Sequence, residues 1–283
     1  RQTGKVMWKH KCHDGIPQVK RHTKATHANS TPTTDGKYIV AFFGSEGLFC
    51  LDMEGKQIWA RNFGLLDSGF FRAPRAQWGF ASSPIIHEDK VIIQCDVQKN
   101  SFIAALDLKT GKTLWRTART EVPTWSTPTV YVGSEQTQVI VNGFKHIGGY
   151  DLKTGKEVWK LSGGGDIPVP TPVIGYKLIF ITNAHGPGSP IYAIKPDAKG
   201  NISLEQGEHS NQFIKWSVPR GGGYMQTPIV YEDHFYTCRD NGVLSCYAAK
   251  TGKLFYKERL GRATGFTASP VAGWCRGGSI RLE

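Results

Sequence analysis

The phrase Asp-Leu-Lys-Thr-Gly-Lys-x-x-Trp occurs twice without error, at Asp107 to Trp115 and at Asp151 to Trp159. Looser copies run from Asp52 to Trp59 and from Ala249 to Tyr256, and a beheaded one from Gly4 to Trp8. Self-similarity at this period signals a repeat architecture, in which one supersecondary unit cannot bury its own faces and must stack on its neighbours. A second mark keeps the same beat. Ser/Thr-Pro pairs begin at Thr31, Ser83, Thr127, Thr171, Thr227 and Ser269, at intervals of 42 to 56 residues. That interval is the length of a four-stranded propeller blade.

Between the two marks the chain is rich in β-formers bounded by Gly, Asp and Asn, as strands are. Each unit reads as strand a opening at Ser/Thr-Pro, an apolar strand b (Tyr38 to Phe43 in the first), a third strand c (Gly47 to Leu51), the Thr-Gly-Lys turn, and an outer strand d ending on Trp or Tyr. In that turn Asp accepts local backbone hydrogen bonds and Gly supplies a positive φ. The aromatic residue after it is expected to wedge between blades. The expectation is an all-β fold, a β-propeller of four-stranded antiparallel blades forming one domain over residues 1–283. Its five complete blades span about 27–60, 78–116, 122–160, 167–217 and 223–257, with partial-blade strands at 1–10 and 265–283. Pairing of those orphan strands is the simplest way to close the ring. The polar stretch Asn201 to Asn211 is read as a longer loop, and Gly163 to Gly165 and Gly221 to Gly223 as linkers. The end, from Ala272 onward, departs from the pattern, and Leu282 and Glu283 are read as a cloning remnant.

Composition excludes several classes. No apolar run approaches the roughly 18 residues of a membrane helix. The net charge of +12 invites nucleic acid. Many lysines, however, sit in the repeated turn, dispersed around a ring, and no nucleic-acid motif accompanies them, so nucleic acid is not the expected partner. The six cysteines show no CxxC spacing and read as small apolar residues. The His10, Cys12, His13 group, with His22 and His27 nearby, has a soft-metal composition but the spacing of no zinc motif.

Ser/Thr-Pro opening a blade and Asp-x-x-Thr-Gly-Lys-x-x-Trp closing it resemble the PQQ-like β-propeller repeat, over residues 4–271. The resemblance implies the propeller fold and an extracytoplasmic (periplasmic or secreted) location, although no signal peptide is seen in this chain. It does not imply the quinone: quinoprotein dehydrogenases of this repeat have eight blades, a vicinal disulfide and a calcium site, so PQQ is not expected with about five blades and no adjacent cysteines. Fold alone does not give function.

Antiparallel topology sets the start of strand a and the end of strand b on one face of the disc. His27, Asn29, Trp78, Phe80, Trp125 and Tyr224 from the first strands should therefore share a funnel with Ser45, Glu46, Asp96, Asn100, Asn142, Asn183, His185, Asp240 and Asn241 from the b–c turns, and with Arg72, Arg75, Gln77 and Glu121 from the linkers. Such a polar funnel with aromatic walls suits a small molecule. Asp and Asn also dominate turns for purely local reasons. Asp96, Asn142, Asn183, Asp240 and Asn241 offer the mixed carboxylate and amide oxygens that Ca2+ accepts. By analogy with calcium-dependent lactonase propellers, the leading expectation is a metal-assisted hydrolase of small esters or lactones. Its catalytic residues would be His27 or His185 as base, with Asp96 and Asp240, and its substrate contacts Trp78, Trp125, Tyr224, Asn29 and Arg72. Two alternatives stand beside it. One is a monomeric, non-catalytic scaffold binding a peptide, protein or sugar; the other is a glycoside hydrolase drawing a pair from Asp96, Asp240, Glu46 and Glu121.

Overall fold

A computed structural model describes residues 3–262, 265–274 and 280–282. Among these, strands lie in five antiparallel blades, each meandering in the order a-b-c-d: Thr33–Arg61, Ile85–Ala118, Thr129–Leu161, Val173–Val218 and Ile229–Arg259. The first strands of blades one and two, and of blades four and five, lie against one another, which makes them the inner strands of the ring. A separate two-stranded hairpin, Gly69–Phe70 with Ala73–Gln77, fills the link between blades one and two. Ala272–Trp274 pairs with Ile280–Leu282. The expected altered stretch at Cys275 to Ser279 lies outside the described residues.

The core lies between blades rather than within them. Strand alternation accounts for this: on one strand Val91, Ile93 and Cys95 turn toward Val40, Phe42 and Leu48 of blade one, while Ile92 turns toward Val139 and Val141 of blade three. With a side-chain period of two, every inner strand supplies both of its interfaces.

The two repeated marks prove to be the devices that lock these interfaces. The closing aromatic residue of one blade lies on the turn glycine of the next: a Cβ at Gly55, Gly111, Gly155 or Gly252 would come within 2.5–2.7 Å of the ring of Trp8, Trp59, Trp115 or Trp216. These glycines also hold φ of 68° to 86°, so both backbone and packing require the residue. Each indole N–H then donates 2.8–3.0 Å to a carbonyl in the same turn, of Met53, Leu108, Leu152 and Ala249 respectively. The Ser/Thr-Pro marks form a second ladder near the inner strands. The N–H of Thr31 donates to Ser83 Oγ, Ser83 to Thr127 Oγ1, Thr171 to Thr227 Oγ1 and Thr227 to Ser269 Oγ, all at 2.9–3.1 Å. A hydroxyl from the next blade thus satisfies a backbone donor that no strand partner reaches.

Two departures are informative. The stretch after Gly200 is more than a longer loop: Gly200–Asn201 pairs in parallel with the outer strand of blade three and makes it five-stranded. Trp159 is fully buried there and donates to Gln138 of its own blade, at 2.9 Å, because no glycine turn meets it. At the other extreme Tyr256, the closing aromatic residue of blade five, is 38% exposed where Trp59 is 8%.

Candidate ligand site in the propeller funnel

The hairpin between blades one and two does not stay with its neighbours. Arg72 at its tip reaches the entry of blade four and pairs with Asp166, Nε to Oδ2 at 3.0 Å. Phe71 stacks on Phe144 of the blade three b–c turn, with centroids 5.6 Å apart, and Phe70 meets the His185 ring edge-on at 5.9 Å. The hairpin therefore crosses the funnel.

Asp166 follows the first glycine triplet and is 1% exposed. Its second carboxylate oxygen accepts a hydrogen bond from His185 Nδ1 at 2.7 Å. His185 sits at φ 84°, a left-handed conformation that costs a non-glycine side chain energy and that clusters at functional sites. The next residue must be Gly186, because a Cβ there would fall on the Asp166 carboxylate. With Nδ1 committed to Asp166, Nε2 is the free nitrogen, on a side chain 47% exposed.

That imidazole opens into a pocket of about 340 Å3 between the b–c turn of blade four and the turns of blade five. Its walls carry Arg220, Arg239, Tyr224 and Asp240. Tyr224 stacks on His185 at 5.6 Å, and burial, together with the negative charge of Asp166 and Asp240, pushes its phenol above the usual range. Among the described residues neither Arg220 nor Arg239 forms an ion pair. Gly222, of the second triplet, has no room for a Cβ against the carbonyls of Pro190 and Asn183. Both triplets shape the site and are not mere linkers.

The residues expected in one funnel thus fall into several groups. His185, Tyr224 and Asp240 line this pocket, and Arg72 is linked to it through Asp166. His27 lines a different one, with His10, Cys12, His13 and Glu46, where His13 Nε2 lies 3.4 Å from Glu46. Among the described residues no three His, Cys, Asp or Glu side chains are grouped to hold a metal ion. Trp78 stacks with His22, and Asn29 secures Thr26 and the carbonyl of Trp78. Trp125 is buried and donates to the carbonyl of Gly79, so it packs rather than faces a ligand. Asn241 accepts from Val243 N–H in its own turn.

Of the oxygen donors considered for Ca2+, Asp96, Asn142 and Asn183 are engaged by protein groups. Asp96 is sealed in a bidentate pair with Arg119, Nε–Oδ1 2.7 Å and Nη2–Oδ2 3.2 Å, and accepts further bonds from Gln94 and Thr124. Asn142 Oδ1 accepts from Gly143 and Asn183, while Asn183 Oδ1 accepts from Gly165. Glu121 likewise accepts the N–H groups of Val122, Phe144, Lys145 and His146 and serves as a turn clamp. Burial and the nearby Asp96 charge raise its pKa. Asp166, Arg220 and Arg239 are the site residues that sequence reasoning missed.

Fold and funnel together define a β-propeller assembled from PQQ-like repeats. The sequence profile of the family described as outer membrane protein assembly factor BamB matches residues 1–257, and the chain belongs to that family. No curated protein matches the sequence. Among solved structures, BamB from Moraxella catarrhalis is similar at 16% identity and a TM-score of 0.56, covering 91% of this chain and 73% of that one. A quinohemoprotein alcohol dehydrogenase from Comamonas testosteroni is similar at 14% identity and a TM-score of 0.61, covering 82% of this chain but 43% of the dehydrogenase. The C-terminal WD40 domain of Sif2, at 13% identity and a TM-score of 0.54, covers 82% of this chain and 57% of that one. These likenesses concern the fold. Among the described residues no helix is long and apolar enough to cross a membrane.

Proposed function

We propose that this propeller binds a small carboxylate-bearing molecule in the funnel pocket beside His185. The observation that carries the reading is the pairing of Arg220 with Arg239. Two guanidinium groups without ion pairs among the described residues line one pocket with Asp240, next to a buried aspartate that is already paired with Arg72 and hydrogen-bonded to His185. Guanidinium forks match carboxylates in geometry, and a bidentate pair is stronger than a neutral hydrogen bond. Tyr224 and His185 supply the flat wall on which the ligand's carbon skeleton lies. An extracytoplasmic setting is carried over from the family resemblance.

The Asp166–His185 pair favours a second reading, hydrolysis of an ester or lactone without the metal first expected. Asp166 holds Nδ1–H, so Nε2 is free to take a proton from water as the oxygen attacks the carbonyl; the same proton then passes to the leaving alkoxide. Arg220 and Arg239 would hold the carboxylate product.

Calorimetric titration with a panel of mono- and dicarboxylates tests the first reading: saturable binding that Arg239→Ala weakens about 10- to 100-fold supports it, and no binding by any of them removes it. Turnover of aryl esters and small lactones that His185→Ala and Asp166→Asn both abolish adds the second. Chelation with EDTA should change neither result.

A further inference from the structure

The crossing hairpin has a second side, which faces away from the pocket just described. Pro74, Arg75 and Gln77 wall a pocket of about 590 Å3 together with Lys20, and a neighbouring pocket of about 460 Å3 holds Lys99 and Arg116. Both are lined by Leu65 and Asp67, so they form one continuous groove running over the link that leaves blade one. Leu65 is 59% exposed on its floor, with Phe63 and the buried Leu66 beside it.

The charges in the groove are one-sided. Lys20, Arg75, Lys99 and Arg116 are all exposed, and among the described residues none of them is ion-paired. Arg116 is held flat over the Phe102 ring, 3.7 Å from guanidinium carbon to centroid, which fixes its position without neutralising it. Among the described residues lining the groove the one carboxylate is Asp67, whose Oδ1 accepts from Gln77 Nε2 at 2.7 Å and from Gly69 N–H at 3.0 Å, which anchors the hairpin.

We infer that this groove docks an extended acidic peptide segment, whose carboxylates meet Lys20, Arg75, Lys99 and Arg116 and whose apolar side chain covers Leu65. Charge complementarity selects an acidic partner. The apolar floor selects a peptide over a nucleic acid or a sulfated sugar, because neither carries an aliphatic side chain for Leu65. Of the two aromatic rings in the lining, Phe102 is buried under Arg116 and Phe63 is partly buried, so the groove lacks the row of open rings on which single-stranded bases stack. The site is separate from the carboxylate pocket and stands independently of that reading.

Fluorescence anisotropy on the full chain tests it, with a fluorescein-labelled peptide of alternating Glu and Leu as the probe. Saturable binding should weaken by about ten-fold or more in Arg75→Glu and in Lys99→Glu, as loss and reversal of a charge contact implies. It should weaken on raising salt from about 50 to about 300 mM as the charges are screened, and it should weaken in Leu65→Ser. A Glu-only peptide should bind less well than the Glu/Leu probe. Circular dichroism and chemical denaturation of the same variants separate a local loss from unfolding. Three results overturn the inference: no binding of the probe, binding indifferent to both charge reversals, or equal competition by heparin or a single-stranded oligonucleotide, which would make the groove a general polyanion surface.

Discussion

Two buried aspartates in neighbouring parts of the ring have opposite fates. Asp96 and Asp166 are each 1% exposed, each ends beside a b–c turn, and each is paired with an arginine. Asp96 meets Arg119, whose side chain is wholly buried, and Arg119 spends its remaining donors on Tyr150 and the carbonyl of His146. Burial opposes the guanidinium charge, but Asp96, together with Tyr150 and Glu121, outweighs it and holds the arginine protonated. That pair belongs to the framework. Asp166 meets Arg72, which is 54% exposed at the tip of a crossing hairpin, and a histidine with a free nitrogen in a pocket. A buried carboxylate is therefore no evidence of a site by itself; what distinguishes the two is whether its partners are closed in by protein.

The sharpest way to break the comparison is to remove Asp96. Asp96→Ala leaves Arg119 charged and unpaired in a dry interior, and truncating one partner of a buried pair costs about 3–5 kcal/mol. Chemical denaturation should show a loss of that size, and carboxylate affinity should fall only in proportion to the unfolded fraction. A near-neutral result would mean that water reaches Arg119 and that the two aspartates are not different in kind.

Asp166→Asn should act differently. The amide keeps the shape but loses the charge that orients His185 and holds Arg72, so we expect about 1–3 kcal/mol of destabilisation, the range for a lost hydrogen bond to a charged group. The effect should exceed stability: carboxylate binding and any ester turnover fall further than the folded population does. Arg220→Ala and Arg239→Ala sharpen the contrast from the open side. Neither is ion-paired among the described residues, so unfolding should move by less than about 0.5 kcal/mol, while carboxylate affinity falls about 10- to 100-fold, the equivalent of one charge-assisted hydrogen bond or a bidentate pair.

The difference between the two aspartates also explains what the sequence could convey. The fold was legible because its locks are local and repeated: Gly111 and Trp115 stand in one phrase even though each touches a different neighbour. The funnel rule named His185, Tyr224 and Asp240, which line one pocket, because strand direction sets which turns share a face. It was silent on burial, so it also gathered Asp96, Asn142 and Asn183, whose oxygens accept from Arg119, from the Asn183 amide and from backbone donors. Asp166 was hidden because it follows a glycine triplet that reads as a link, and its partners come from residue 72 and residue 185. Arg239 stands beside Asp240 and was within reach of the same rule. A search for metal-binding oxygens passes over a guanidinium.

A third kind of aspartate calibrates the comparison at its smallest scale. Asp107 and Asp151 sit in the repeated turn, where each accepts the N–H and the hydroxyl of a threonine three residues on. Hydrogen bonds to the charged form lower both pKa values. A carboxylate depressed in the folded state contributes stability above its ordinary value near 4, and that contribution is lost as pH falls through the depressed value. Asp107→Asn and Asp151→Asn should therefore reduce stability slightly at pH 7 and flatten the acid side of the stability curve below about pH 4. The measurement is denaturation at stepped pH. Because these turns are solvated, each change should be smaller than any predicted for Asp96 or Asp166. An equal or larger effect would show that the turn, and not the closed pair, carries the stability of the blade.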